Sequence, residues 1–284
     1  MLQISHLYIY PIKSLSGIAV NEALITEKGF AYDRRWMLVD ENNRFISQRE
    51  LAGMTQLQPA ITSEGLIVTH KTKLNSIVIP LKSSQRKDPV TVTIWDDSCM
   101  AEFVSDEADD WFTNALGVNC RLVYMPDESK RLVDQNYARE NEVTSFADAY
   151  PFLMIGQASL DDLNNRLTEV LPINRFRPNI VFTGGSPYEE DSMADISIGQ
   201  IIFSGVKLCA RCVMITIDQD NATGGKEPSK TLATYRQKNK KIYFGQNMLC
   251  KGEGGVKVGD ELKVISTHDD ERFRINPANE IFET

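Results

Sequence analysis

Short segments with alternating or β-branched apolar residues dominate the first 124 residues of the chain. This pattern predicts strands at residues 4–10, 18–25, 35–39, 61–69, 76–80, 90–95 and 121–124. The connections between these segments are short. Such a series is typical of a small, mostly antiparallel β-barrel or sandwich.

A single helix is predicted near the end of this first part. Ser105 is a suitable N-cap, and Ala108, Trp111 and Phe112 follow at helical spacing. Gly117 stands where a helix of this length would end. We therefore expect one amphipathic helix packed against the predicted strands.

The second half has a different pattern. Residues 125–142 are polar and charged, and we interpret them as a connection between two domains. Ser159 and Asp162 resemble a capping box, which predicts a helix that ends near Pro172. Further strands are predicted at 180–183, 196–203, 206–217, 242–249 and 262–265, with a tight hairpin at 254–261 and a short helix at 229–237.

Charge and length narrow the classes of protein. The 284 residues suffice for two domains, and the net charge is 31 − 39 = −8. A nucleic-acid partner is not expected, because phosphate-backbone binders present a basic face. An acidic protein can still contain a local cationic pocket for one small anion.

Targeting signals and cysteine usage give the expected compartment. The sequence has no apolar run near the ~20 residues of a membrane helix and no secretory signal, so we expect no membrane partner. Five cysteines, three of them widely scattered, fit a reducing cytoplasm better than a disulfide framework. The three histidines are far apart in the sequence, so neither a His-based metal site nor a His-based catalytic triad is expected.

The Cys209-Ala-Arg-Cys212 segment is the strongest chemical signal. If a strand runs unbroken from Cys209 to Ile217, the two thiols point to opposite faces. One would then be a ligand or nucleophile and the other a packed side chain. If a turn interrupts the strand, the pair can chelate a metal or form a disulfide. The ordinary alternative is that both are small buried hydrophobic residues.

Several basic positions flank the predicted strands of the first part. Lys13 and Ser14 follow a strand in a loop and can present an ammonium and a hydroxyl to an anion. Arg34 and its neighbour Asp33 lie at a strand entrance, where a buried arginine needs an anionic partner. Arg49 is a third basic position. The alternative for each is a solvated loop residue.

Polar residues also precede the strand predicted at 180–183, in the second half of the chain. Arg177 and Asn179 flank Pro178, which makes this entry rigid and suitable for oriented hydrogen bonding. The acidic run 188–191 is a solvated face, a partner for Arg175 or Arg177, or a binding group for the amino groups of a heterocycle. Nucleotide-binding, nucleophile-elbow and HExxH motifs are absent from the sequence.

Together these segments resemble the MOSC superfamily, in particular its two-part members. These include bacterial reductases of N-hydroxylated compounds and mitochondrial amidoxime-reducing components. The marks are Tyr10-Pro-Ile-Lys-Ser14, Asp33-Arg-Arg-Trp36, Phe176-Arg-Pro-Asn-Ile-Val181, Cys209-Ala-Arg-Cys212, Phe244-Gly-Gln246 and Val256-Lys-Val-Gly-Asp260.

The resemblance implies a mostly β fold with some α structure (α+β). It divides the chain into an N-terminal MOSC β-barrel domain at 1–124, a connection at 125–142, a MOSC β-barrel domain with flanking helices at 143–268, and a tail at 269–284.

The same resemblance implies a molybdenum cofactor. In this family one molybdopterin binds molybdenum through its dithiolene sulfurs, and a protein cysteine adds a further sulfur ligand. That ligand and catalytic position corresponds to Cys212, which leaves Cys209 as the packed partner. A thiolate is a suitable soft ligand, and neighbouring Arg211 favours the anion. The implied cofactor contacts are Lys13, Ser14, Arg34, Arg49, Arg177, Asn179 and Arg211.

The implied reaction is the two-electron reduction of an N–O bond in a small N-hydroxylated substrate. Some relatives carry a four-cysteine iron–sulfur motif, which this sequence lacks, so a separate ferredoxin-type or flavin-type protein is expected to donate electrons. No lysine stands in a Schiff-base context, so pyridoxal phosphate is not expected. Met193 replaces a tryptophan of the mitochondrial relatives, which leaves substrate preference open.

Two other functions compete with the reductase. A MOSC cysteine can carry a persulfide as a sulfur carrier for metallocofactor assembly. Alternatively, the protein is a non-catalytic binding module in which both Cys209 and Cys212 are packed side chains. Bound pterin with molybdenum, labile sulfane sulfur, or neither, distinguishes the three.

Overall fold

The computed structural model of the protein describes residues 1–81 and 88–275. Residues 276–284 of the predicted tail lie outside the described part. The strands are β1 Leu2–Ile9, β2 Ile18–Val20, β3 Glu22–Thr26, β4 Gly29–Phe30, β5 Trp36–Val39, β6 Leu57–Ile61, β7 Leu66–His70, β8 Ser76–Ile79, β9 Pro89–Ile94, β10 Asp97–Phe103, β11 Arg121–Tyr124, β12 Arg131–Leu132, β13 Val143–Thr144, β14 Phe152–Gly156, β15 Ile180–Thr183, β16 Met193–Ile198, β17 Ile201–Arg211, β18 Gln237–Lys238, β19 Lys241–Lys251, β20 Gly254–Lys257 and β21 Glu261–Thr267.

Helical structure is sparse in the described residues. The α-helices are α1 Asp106–Leu116, α2 Gln157–Asn164 and α3 Ser229–Ala233. Short 3-10 helices lie at Ala52–Gln56, Ile173–Arg175, Glu189–Ser192, Val213–Thr216 and Glu271–Phe273. Each described helix is too short or too polar to cross a lipid bilayer.

Seven strands close into a barrel in the order β14-β15-β1-β21-β16-β17-β19, and β19 pairs back onto β14. The β14–β15 pair is parallel, and the other pairs are antiparallel. Inward-facing apolar residues fill the barrel, and the rings of Phe152 and Phe203 meet edge to face at 5.3 Å. The predicted mostly β fold with a barrel is confirmed.

The first strand of the chain belongs to this barrel. β1 pairs with β15 on one side and with β21 on the other. In addition, β20 from the end of the chain pairs with β3 from its beginning. The two halves of the sequence are therefore joined within shared sheets. The loop that follows β1 lies next to the first residues of β15.

The remaining N-terminal residues form two small sheets, β5-β11-β10-β9 and β6-β7-β8. Helix α1 packs on them through Phe112, which is fully buried. The predicted caps of this helix are confirmed. Ser105 Oγ accepts a hydrogen bond from the Ala108 amide at 3.1 Å, and Gly117 has a left-handed φ of 71°.

The predicted strand at 206–217 is wrong in its second half. β17 ends at Arg211, which pairs with Ile242 close to the first residue of β19, so no partner strand remains beyond it. The chain continues through Cys212 into the 3-10 helix Val213–Thr216. The extended backbone therefore ends with the second cysteine of the pair, Cys212.

The predicted helix after Ser159 is also misplaced. α2 begins at Gln157 with Gly156 as its N-cap, so Ser159 lies inside the helix and forms no capping box. The helix ends at Asn164, whose side-chain amide hydrogen-bonds both backbone groups of Leu171. These side-chain bonds replace further helical turns. Helix α3 is likewise shorter than the predicted 229–237.

The acidic run 188–191 is not a solvated face, and its predicted pairing with Arg175 or Arg177 is wrong. Glu190 is fully buried and accepts a 2.8 Å hydrogen bond from Ser159 Oγ. Asp191 forms a buried salt bridge to Arg236 at 2.5 Å. Burial, together with the neighbouring carboxylate of Asp191, raises the pKa of Glu190.

We predict that Glu190 makes the free energy of unfolding depend on pH. Because the folded protein binds this proton more tightly than the unfolded chain, the stabilisation is complete below the ordinary pKa of 4.5 and is lost as pH rises through the raised value. Glu190→Gln keeps an acceptor for Ser159. As pH rises from 4.5 to 8, its free energy of unfolding should increase by about 2 kcal/mol relative to that of wild type. Urea unfolding across this range measures the difference.

The exposed Glu140→Gln is the matched control and should follow the wild-type pH dependence. An equal pH dependence in Glu190→Gln and wild type would contradict the assignment.

Candidate active site

The eight residues predicted as site positions line one cavity of about 300 Å³ at the end of β17. They come from the loops after β1, β4 and β5, from the entry of β15, and from the end of β17. They are Lys13, Ser14, Arg34, Arg49, Arg177, Asn179, Arg211 and Cys212. The interlocked barrel thus brings together residues up to 199 positions apart in sequence, from 13 to 212.

The cavity is strongly cationic although the protein is acidic. Among the described residues, its lining carries eight basic side chains and a single carboxylate, that of Asp148. The basic residues are Lys13, Arg34, Arg49, Arg175, Arg177, Lys207, Arg211 and Lys241. Like charges this close repel one another, and a cleft with low-dielectric walls concentrates their field. The arrangement fits an anionic ligand.

Several cavity residues also have unusual backbone conformations. Ser14, Arg34 and Arg177 have left-handed φ values of 66°, 50° and 56°. Such conformations are uncommon for residues other than glycine and cost about 1–3 kcal/mol each where the backbone is strained. Trp95, which also lines the cavity, has a φ of 56°. The surrounding structure therefore holds these side chains in orientations that local preference does not favour.

Lys13 lies at the buried end of the cavity. Its ammonium donates to the Phe146 carbonyl at 2.8 Å and to the Asp148 carboxylate at 2.5 Å. Burial lowers the pKa of Lys13 to about 8, against the opposing effect of Asp148. The cation is thus held by protein groups and still faces the cavity.

Arg34 and Arg177 differ in their ion pairing. Arg34 Nη1 donates to Asp33 at 2.5 Å and to Asn179 Oδ1 at 3.1 Å. This confirms Asp33 as its expected anionic partner. Within the described residues Arg177 forms no salt bridge, and burial, together with the charge of Arg34, lowers its pKa to about 10. An anion in the cavity would stabilise this cation.

Arg211 links the cavity to the cysteine pair. Its Nη2 donates to the Phe176 carbonyl at 2.7 Å and its Nη1 contacts Cys209 Sγ at 3.0 Å. Its Nε is buried without a hydrogen-bond partner in the described residues. The sequence analysis expected Cys209 to be a packed side chain. In the structure it also accepts a hydrogen bond from the Arg211 guanidinium.

The two thiols of the pair are free, and Cys212 is the exposed one. Cys212 continues the extended backbone of β17, with φ −110° and ψ 180°. Three extended residues separate Cα atoms by about 10 Å, beyond the reach of a disulfide. The disulfide alternative is therefore wrong for this structure. The described residues hold no cluster of three or more His, Cys, Asp or Glu side chains suited to a metal.

Some lining residues were missed by the sequence analysis. Arg49, which was predicted, stacks on Trp95 at 3.9 Å, but Trp95 itself was not predicted. Asp148 bonds to Lys13 and accepts from Trp95 Nε1 at 3.3 Å. Neither residue stands in a spacing pattern that marks a site. Only their contacts with predicted residues identify them.

The sequence is similar to known protein families over most of its length. Residues 141–263 match the MOSC domain, and residues 1–119 match the MOSC N-terminal beta barrel domain. The chain belongs to the MOSC family. A Bos taurus relative, mitochondrial amidoxime reducing component 2, is 31% identical over 281 residues, which cover 91% of this chain and 82% of that protein. A Mus musculus relative, mitochondrial amidoxime-reducing component 1, is 29% identical over 92% of this chain and 82% of its own length.

A second kind of MOSC relative is larger. Molybdenum cofactor sulfurase from Oryza sativa subsp. japonica is 30% identical over 93% of this chain, which spans only 35% of that protein. Among solved structures, the YuaD protein of Bacillus subtilis aligns over 92% of this chain and 94% of its own, with a TM-score of 0.35 and 9% identity. The bovine and murine relatives are thus named for amidoxime reduction, and the rice relative for the molybdenum cofactor.

The cavity of this MOSC protein combines groups suited to an anion with a thiol suited to a soft metal. Arg177 lacks an anionic partner and Arg211 Nε lacks an acceptor, both among the described residues. A phosphate is a ligand for such guanidinium groups. The exposed thiol of Cys212 is a soft donor for a metal. Both parts of such a ligand therefore fit residues of one cavity.

We predict that iodoacetamide modifies Cys212 of the metal-free protein first. The thiols of Cys99 and Cys120 are buried, and burial raises the pKa of each to about 11, so they should react at least about tenfold more slowly. Peptide mass spectrometry after brief alkylation identifies the modified residue. Loss of the early modification in Cys212→Ala is the control, and early modification of Cys99 or Cys120 would contradict the exposure order.

Proposed function

We propose that this protein binds a molybdenum cofactor and reduces N–O bonds of small N-hydroxylated substrates. The observation that carries this proposal is the meeting of an exposed thiol, Cys212, with cations from both halves of the chain in one cavity. Relatives named as amidoxime-reducing components support the same activity.

In this proposal Lys13, Ser14, Arg34 and Arg177 hold the phosphate of the cofactor. Lys13 and Arg34 are positioned by hydrogen bonds to protein groups, and the backbone of Ser14 is held by a bond from the Gln48 side chain. Arg177 contributes the cation that lacks an ion pair among the described residues. Charge-assisted hydrogen bonds of this kind contribute roughly 1.5–3 kcal/mol each.

The remaining predicted residues surround the pterin and the metal. Asn179 bonds Arg34 and fixes its direction, and Arg211 neutralises negative charge beside the thiols. Arg49 stacks on Trp95 at the cavity wall. Cys212 is the protein ligand to molybdenum.

When bound, the cofactor supplies two-electron redox chemistry at a thiolate-ligated metal. The protein contributes orientation and electrostatics. Because Cys212 is exposed and lines the cavity, a small substrate and a separate electron-donor protein can both approach this position. The cations beneath it stabilise negative charge on the cofactor.

A sulfur carrier is the second candidate. The exposed free thiol of Cys212 and the similarity to molybdenum cofactor sulfurase favour it. A carrier would be purified with labile sulfane sulfur and without metal. Stoichiometric molybdenum and pterin fluorescence in the purified protein would favour the reductase instead.

We predict that Cys212→Ser lowers the molybdenum-dependent reduction of benzamidoxime at least about 100-fold, because a serine hydroxyl is a poor soft-metal ligand. Chemically reduced electron donors in an anaerobic assay measure the rate. Cys250→Ser, which changes a thiol outside the cavity, should retain activity. An active, folded Cys212→Ser protein would refute the ligand assignment.

We also predict that Arg177→Ala weakens cofactor retention. Loss of one charge-assisted donor to phosphate corresponds to roughly 2 kcal/mol, or about 30-fold in the dissociation constant. Pterin content after dialysis measures retention. Arg166→Ala, which removes a half-exposed arginine paired with Asp162, is the control. Equal pterin content in Arg177→Ala and wild type would exclude the phosphate role.

A further inference from the structure

Tyr10 lies behind the cavity and contacts two of its cations. The residue is 2% exposed. The guanidinium carbon of Arg34 lies 4.5 Å from the centre of its ring, and that of Arg177 lies 4.3 Å from the same centre. One aromatic ring therefore attracts two positive charges that repel each other.

The same residue joins the chain segments that carry these arginines. The hydroxyl of Tyr10 donates to the Pro178 carbonyl at 3.1 Å. Its amide donates to Asp33 Oδ1 at 2.8 Å, and its carbonyl accepts from the Arg34 amide at 2.8 Å. Arg34 and Arg177 are both in left-handed backbone conformations. Tyr10 thus contacts both strained segments, through its ring and through its polar groups.

Gly17 provides the space for this ring. A Cβ atom at position 17 would lie 2.5 Å from Cε1 of Tyr10. Carbon atoms do not approach this closely, so alanine at this exposed position would displace the ring. Gly17 does not line the cavity, so the substitution alters the position of Tyr10 without removing a cavity side chain.

We propose that Tyr10 is a positioning residue that holds Arg34 and Arg177 together as one phosphate-binding pair. The inference rests on the proposed function, because the phosphate is that of the cofactor. Tyr10 acts through the arginines and does not itself line the cavity. Without the ring, mutual repulsion would separate the two guanidinium groups, and phosphate would have to bring them together at the expense of affinity.

Binding of inorganic phosphate to the cofactor-free protein tests this inference. Isothermal titration calorimetry at fixed ionic strength should give a Kd about tenfold weaker for Tyr10→Leu than for wild type, since a desolvated cation–π contact contributes about 1–2 kcal/mol. Tyr10→Phe keeps the ring and should stay within about threefold of wild type. Gly17→Ala should weaken binding as Tyr10→Leu does.

Tyr124→Leu is the matched control. The guanidinium carbon of Arg35 lies 5.2 Å from the centre of the Tyr124 ring, but neither residue lines the cavity. This variant should bind phosphate as wild type does. A tyrosine ultraviolet difference signal on phosphate addition, present in wild type and absent in Tyr10→Phe, would further support the contact.

The outcomes separate the inference from the proposed function. A protein that contains molybdenum and pterin, and whose Tyr10→Leu and Gly17→Ala variants bind phosphate as wild type does, overturns the inference alone. If Tyr10→Leu fails to fold, Gly17→Ala decides. Binding as weak in Tyr10→Phe as in Tyr10→Leu also overturns it. A wild-type protein that binds neither phosphate nor pterin overturns both proposals.

Discussion

The antiparallel pairing of β1 with β15 is the interaction on which the site depends. Leu7 is paired with Ile180, and the Tyr8 amide donates to the Asn179 carbonyl at 2.9 Å. This register fixes the end of β1 beside the entry of β15. The loop with Lys13 and Ser14 then meets Arg177 and Asn179 across the barrel edge. Without this pairing the cations of the two halves would belong to separate surfaces.

The cavity is organised at a cost in local stability. Several like charges converge, and four lining residues adopt left-handed backbone conformations. The barrel core offsets this cost, because its fully buried aromatic and aliphatic residues contribute the hydrophobic free energy that holds the loops in place. The rigid part of the molecule and the strained part are thus adjacent, as is usual where ligand groups must be oriented before binding.

The buried acidic turn shows how polar groups are accommodated elsewhere. Glu190 and Asp191 lie under α2 and beside Arg236, away from the cavity lining. Their role is to connect α2, the 3-10 helix Glu189–Ser192 and the segment after α3. The positive cavity and the buried acidic turn are therefore separate features, and the acidic residues do not neutralise the cations of the site.

The sequence alone determined the β-rich class, the capped helix α1, the family and the eight candidate site residues. These properties are encoded locally, in alternation of apolar residues, in caps and in short motifs. Local pattern did not reveal where β17 ends or where Asp191 pairs. The strand stops at Arg211 because β19 begins opposite it, and Asp191 bonds Arg236, 45 residues away.

Only the tertiary structure decided that the motifs share one cavity, that Asp148 and Trp95 complete its wall, and that Tyr10 contacts both Arg34 and Arg177. The physical reason is that these contacts join residues more than a hundred positions apart or lie outside any repeating pattern. Closure of the barrel through β1 sets their distances, and no single segment contains that information.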